Sequence, residues 1–186
     1  MPTTPAIPAL LAGASYAAVV QHYVLHRREQ LHEELRHFSK QPSFDLALNQ
    51  AVLAVDRRGK RLSHQRRLPT QVIPKSLPLI TAARSSLAKS QTFDELFDQV
   101  ETILNAVPKA GDLYRYDTSL RMGAYLGLYP TRVFLQTGAY DGAREVSRGF
   151  TERSVPLSRF PEPFHSLAPF EVENLLCIYK GKLAAG

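Results

Sequence analysis

Apolar positions recur at helical spacing along most of the chain. Between about Leu10 and Phe38, the residues Tyr16, Val20, Tyr23, Val24, Leu31, Leu35 and Phe38 fall on one stripe, with His22, His26, Glu29 and Glu33 on the other side. That pattern predicts one long helix. Gln41-Pro42-Ser43 interrupts it, Ser43 is a natural N-cap, and Phe44, Ala47, Leu48, Ala51, Val52 and Val55 carry a second helix to Asp56. Leu68 to Pro78 holds three prolines and reads as an irregular connection, with a helix from Pro78 to Lys89 turning Leu79, Ala82, Ala83 and Leu87 inward. Thr92 to Glu95 is a capping box ahead of the apolar face Phe93, Leu96, Phe97, Val100, Ile103 and Leu104.

The stretch from Val107 to Val146 is the most densely patterned. Pro108 ends the preceding helix near Ala106, Gly111 is expected to take a positive φ, and Asp112 to cap a helix running to about Leu126. On that helix Leu113, Tyr116, Leu120, Ala124 and Gly127 share a side that narrows from aromatic to bare backbone, and Gly123 marks a close approach. Gly127, Leu128 and Pro130 form a left-handed helix stop. Arg132 to Gln136 reads as a short strand, Thr137-Gly138 as a turn, and Asp141 or Gly142 as the start of a helix carrying Arg144 and Arg148. Ser154 to Pro163, with three prolines, reads as a surface strap, and Pro169 opens a last helix that Gly181 ends.

The pattern thus predicts a mainly α, single compact domain over 10–186, with about six or seven helices and one short strand or hairpin near 132–136. Residues 1–9, rich in proline, form an extended arm. With 44% hydrophobic and 22% charged residues, a chain of 186 residues can bury one globular core and is not a disordered chain.

One cysteine excludes an internal disulfide, and Cys177, set in LLCIY, reads as a small buried hydrophobe. A catalytic thiol would need a base, for which His165 is nearest in sequence, but neither residue carries a local signature. The apolar run Ile7 to Val20 is too short to span a bilayer and lacks a preceding positive residue, so the expectation is a cytoplasmic protein with no membrane contact. His22 and His26 stand one turn apart, yet the flanking Arg27 and Arg28 favour a solvated face over a metal site, and no metal or cofactor is expected.

Charge changes this picture at one place. Asp56 to Arg67, DRRGKRLSHQRR, sets six basic residues against one acid, so this segment supplies five of the six net positive charges of the chain. Gly59 marks a turn from which Arg57, Arg58, Lys60 and Arg61 fan out, followed by His64, Arg66 and Arg67, a set suited to phosphate. The competing reading pairs these arginines with Asp94, Glu95, Asp98 and Glu101 of a later helix. No aromatic residue is interleaved for stacking on bases.

GxxxxGKS, GxGxxG, HExxH, GxSxG and paired-cysteine motifs are absent. An acid/base site would have to be assembled from dispersed residues, with His64, Tyr116, Asp117 and Arg121 as first candidates. Asp117 and Arg121 lie one turn apart; an exposed pair, contributing ~0.3–0.5 kcal/mol, is the expected state and a buried pair the alternative.

The run AGDLYRYDTSLRMGAYLGLYP, Ala110 to Pro130, resembles stretches of bacterial proteins with no assigned activity, and implies none here. LNAVPKAG, Leu104 to Gly111, loosely resembles the hairpin of helix-hairpin-helix proteins, which implies backbone contact with a DNA phosphate. Lys109 stands where that motif has its first glycine, and the small packing residue Ser119 follows about one turn late. The functional expectation is a protein whose basic turn engages a polyanion, nucleic acid first. The alternatives are an interaction module that docks on an acidic protein surface and, third, an enzyme acting on a phosphorylated or nucleic-acid substrate.

Overall fold

The computed structural model describes residues 14–62 and 65–183; the expected N-terminal arm, residues 1–9, and His64 lie outside them. The fold is mainly α, with nine α-helices and one two-stranded antiparallel sheet among the described residues. The helices are α1 (Tyr16–His26), α2 (Arg28–Ser39), α3 (Phe44–Leu53), α4 (Val72–Ala82), α5 (Arg84–Leu87), α6 (Phe93–Leu104), α7 (Asp112–Leu126), α8 (Thr137–Val146) and α9 (Pro169–Tyr179). The strands are β1 (Val133–Phe134) and β2 (Ser154–Val155), in register Val133 with Val155 and Phe134 with Ser154. Contacts gather into two compact units, one of residues up to Leu31 together with Thr131 onward, the other His32–Pro130.

In the His32–Pro130 unit, α7 packs against α3 and α6, and α4 against α3 and α6. The helix starts are locally specified. The Ser43 hydroxyl accepts from the Leu46 N–H at 3.3 Å and the Thr92 hydroxyl from the Glu95 N–H at 3.2 Å. The reciprocal bond of the second cap comes from the Gln91 N–H to Glu95 at 2.8 Å, one residue before the position a capping box uses. Phe93, Phe97 and Tyr116 form an aromatic cluster, with edge-on contacts of 5.8 and 6.1 Å between the tyrosine ring and the two phenylalanines.

In the other unit α8 lies against α9, and α9 against α1 and β1. Phe150 stacks on Phe160 in its core, with centroids 4.8 Å apart, and the Phe164 ring lies tilted 5.7 Å from Phe160. The Ser154–Pro163 stretch is ordered but is not confined to the surface: it holds β2 and a 3-10 turn at Leu157–Arg159, and it buries Val155 and Phe160.

Several boundaries differ from the sequence pattern. The first long stripe is two helices, broken at Arg27 (φ −129, ψ −35), because its two halves serve different cores: Val19, Val20 and Tyr23 pack in one unit, Leu35 and Phe38 in the other. The Pro-rich connection is α4, with Pro78 inside it. A mid-helix proline costs about 3 kcal/mol, which the burial of Val72, Ile73 and Ile80 at helical spacing offsets. Between α6 and α7 the positive φ falls on Lys109 (+69) while Gly111 sits at −69. Val107 to Ala110 form a turn closed by an N–H to carbonyl bond of 3.1 Å, and Pro108 at its second position places the left-handed residue third.

Thr137 starts α8 rather than turning the chain, and Gly138 and Gly142 serve helix packing. A Cβ on Gly142 would collide with the Leu176 carbonyl of α9, and one on Gly138 would lie 2.6 Å from the Cys177 sulfur. Gly123 is required by the helix's own return: Gly127 closes α7 at φ +72, the Leu128 N–H bonds the Gly123 carbonyl at 2.8 Å, and the Leu128 carbonyl occupies the space a Cβ would need. The Phe93 ring, 3.4 Å away, closes the other side. Gly123→Ala and Gly142→Ala are each expected to lower stability by about 1–3 kcal/mol despite alanine's better helix propensity. Urea unfolding measures this, and a raised midpoint at unchanged slope would show that the contact has room.

Candidate functional site

The basic segment begins where α3 ends. Ala54 closes that helix in the left-handed conformation at φ 51, a strain of about 1–2 kcal/mol that a non-glycine residue holds only when its surroundings fix it. The next residues form a short antiparallel ribbon. The Leu62 N–H donates to the Ala54 carbonyl at 2.8 Å, the Asp56 N–H to the Lys60 carbonyl at 2.9 Å, and Val55 and Arg61 are bridged.

The hairpin tip is Arg57-Arg58-Gly59, with Gly59 at φ +70, the arrangement of a three-residue loop that ends in a left-handed residue. Asp56, the one acid of the segment, organises it. A single carboxylate oxygen accepts from the backbone N–H of Arg58 at 2.8 Å and of Lys60 at 2.9 Å. The backbone bond from Lys60 first, then that from Arg58 and the Arg58 and Lys60 charges, together outweigh burial and lower the Asp56 pKa.

Arg57, Arg58, Lys60, Arg66 and Arg67 are exposed, and Arg61 is half-buried. Among the described residues none of these six takes part in an ion pair, so the competing reading, in which Asp94, Glu95, Asp98 and Glu101 pair with these arginines, is not seen for these six.

The second half of the segment is fastened to the core by Gln65, only 3% exposed, whose side-chain amide donates to Asp117 Oδ2 at 2.6 Å. Asp117 is one of two carboxylates around Arg121. The guanidinium, 1% exposed, donates through Nε to Glu34 of α2 at 2.9 Å and through Nη2 to Asp117 at 3.4 Å, and lies 5.9 Å from the Phe38 ring centre. Burial alone would lower the Arg121 pKa, but the charges of Glu34 and Asp117 outweigh it and hold the pKa above its ordinary value. The arginine is a fixed cation.

The exposed Asp117–Arg121 pair expected from the sequence is therefore a buried one. Its partner Glu34 carries no sequence signal beyond being an acid next to Leu35, and Gln65 is conspicuous only as the one amide within a run of cations.

Tyr114 ties the other end of the segment. Its hydroxyl donates to the Val52 carbonyl, in the last turn of α3, at 2.9 Å. Burial pushes its pKa up, opposed by the Ser76 hydroxyl and by the Arg121 and Arg61 charges. Both ends of the basic segment thus rest on α7.

Of the four catalytic candidates, Asp117 and Arg121 are brought together, Tyr116 is a buried member of the aromatic cluster, and His64 is outside the described residues. In the other unit, His22 bonds the Tyr179 hydroxyl at 2.6 Å, with the His26 ring 4.5 Å away. Burial first, then His26, Arg27 and Lys182, lower the His22 pKa. Cys177 is half-buried, and His165 bonds the Phe160 carbonyl at 2.8 Å.

Among the described residues no cluster of three or more His, Cys, Asp or Glu could hold a metal ion, and no helix is long and apolar enough to cross a membrane. Comparison with protein-family models, curated proteins and solved structures returns no match.

Arg121→Met keeps the volume and leaves two carboxylates facing each other without their cation. The expected loss is about 3–5 kcal/mol in urea unfolding. A change within ~0.5 kcal/mol would show that the pair is solvated in solution.

Proposed function

We propose that the protein binds polyanions, nucleic acid foremost, through the basic segment Arg57 to Arg67. The observation that carries this reading is the contrast in charge within one unit. Arg121 is buried and neutralised by two carboxylates, while Arg57, Arg58, Lys60, Arg66 and Arg67 are held out to solvent with no ion pair among the described residues. Exposed guanidinium groups offer paired donors that match phosphate oxygens.

The anchoring of the segment supports the same reading. A loose basic loop would lose conformational entropy on binding, whereas this one is closed by Asp56 and fastened by Gln65 before any ligand arrives.

Binding of a labelled DNA measured at several salt concentrations is the test. Phosphate contacts give a log–log slope approaching about −0.9 per neutralised charge, and replacing Arg57, Arg58, Arg66 and Arg67 by glutamate should abolish binding. The outcome that counts against the proposal is no binding at low salt, or binding that these four replacements leave intact.

A further inference from the structure

Resting on that reading, the hairpin geometry specifies the form of the ligand. We infer that the hairpin cations, Arg57, Arg58, Lys60 and Arg61, select double-stranded over single-stranded nucleic acid and hold it by the phosphate backbone.

Order at the tip is the first argument. Arg57 and Arg58 occupy the turn, Lys60 and Arg61 the returning strand, and the Val55–Arg61 bridge with the two Asp56 bonds sets the backbone that carries them. Cations on an ordered backbone match phosphates whose spacing is also fixed, as along a duplex. A flexible single strand gains nothing from such order, because it adapts to any array of charges.

The second argument is what the segment lacks. Proteins that prefer single strands combine a basic groove with aromatic side chains on which bases stack. From Asp45 to Thr92 the chain contains no Phe, Tyr or Trp. The segment thus offers unpaired bases no Phe, Tyr or Trp platform.

Thirdly, Gln65 is the segment's one side-chain amide, the group that pairs with an adenine edge, and its amide nitrogen is committed to Asp117 at 2.6 Å. What remains for the ligand is positive charge. A two-stranded ribbon fits the major groove of a duplex, and its flanking cations reach the phosphates on the groove walls.

Fluorescence anisotropy with a duplex of about 20 base pairs, and with each of its strands alone, tests this across salt concentrations. The expected result is duplex binding at least about tenfold tighter at equal nucleotide concentration, with a steeper salt slope, since a duplex phosphate returns ~0.9 of a counterion and a single-strand phosphate ~0.7. Equal or tighter binding of the single strands overturns this inference and leaves polyanion binding standing; no binding of either form at low salt overturns both. Asp56→Ala supplies the second arm. It adds a net positive charge while removing the bonds that order the tip, so the preference for duplex should shrink toward equality even if overall affinity rises. An unchanged preference in that variant would show that the ordered turn is not its source.

Discussion

A guanidinium removed from water is costly unless its charge is compensated, and that of Arg121 is compensated by two carboxylates from different parts of the chain. Glu34 comes from α2 and Asp117 from one turn earlier on α7. Removing one partner of such a cluster leaves an uncompensated charge in a low-dielectric setting, which costs more than the intact cluster contributes. The arrangement therefore acts as a constraint: within the His32–Pro130 unit the guanidinium ties Glu34 of α2 to α7. Asp117 has a second task, because the oxygen that faces Arg121 also accepts from Gln65. The register of the basic segment is thereby tied to the same contact that fixes the helices.

From that contact the segment's properties follow in order. Tyr114 holds the end of α3, Ala54 is forced left-handed as the chain leaves it, Asp56 closes the hairpin, and Gln65 returns the chain to α7. Along the segment Arg57, Arg58, Lys60, Arg66 and Arg67 take part in no ion pair among the described residues and face solvent. Four polar anchors, Tyr114, Asp56, Gln65 and Asp117, spend hydrogen bonds on holding the segment that displays the charge. That division of labour, neutral or paired groups inside and unpaired cations outside, is what a site for an external polyanion requires.

Much of the fold was legible because its causes are local. Ser43 and Thr92 cap helices through bonds three residues long, and Gly127 stops α7 in the conformation glycine favours. The illegible parts have non-local causes. Nothing near Arg27 signals that the stripe on either side serves two cores, and the burial that keeps Pro78 inside α4 depends on α3 and α6. Gly138 and Gly142 resemble turn residues in sequence, and only the close approach of α9 gives them another reason to be there. The basic run was visible as composition. That Asp117 and Arg121 stand behind it was not, because Glu34 is 87 residues from Arg121 and Gln65 is 52 from Asp117.

The claim that the buried Arg121 cluster sets the basic segment is most directly tested by hydrogen exchange on Gln65→Leu. This change removes the tie to Asp117 while leaving Arg121 between Glu34 and Asp117, and the local stability it reports is independent of any ligand. Exchange should quicken over residues 56–68, the Arg58 and Lys60 amides included, with α6 and α7 unchanged. Protection in that segment equal to that of the unsubstituted protein would contradict the account.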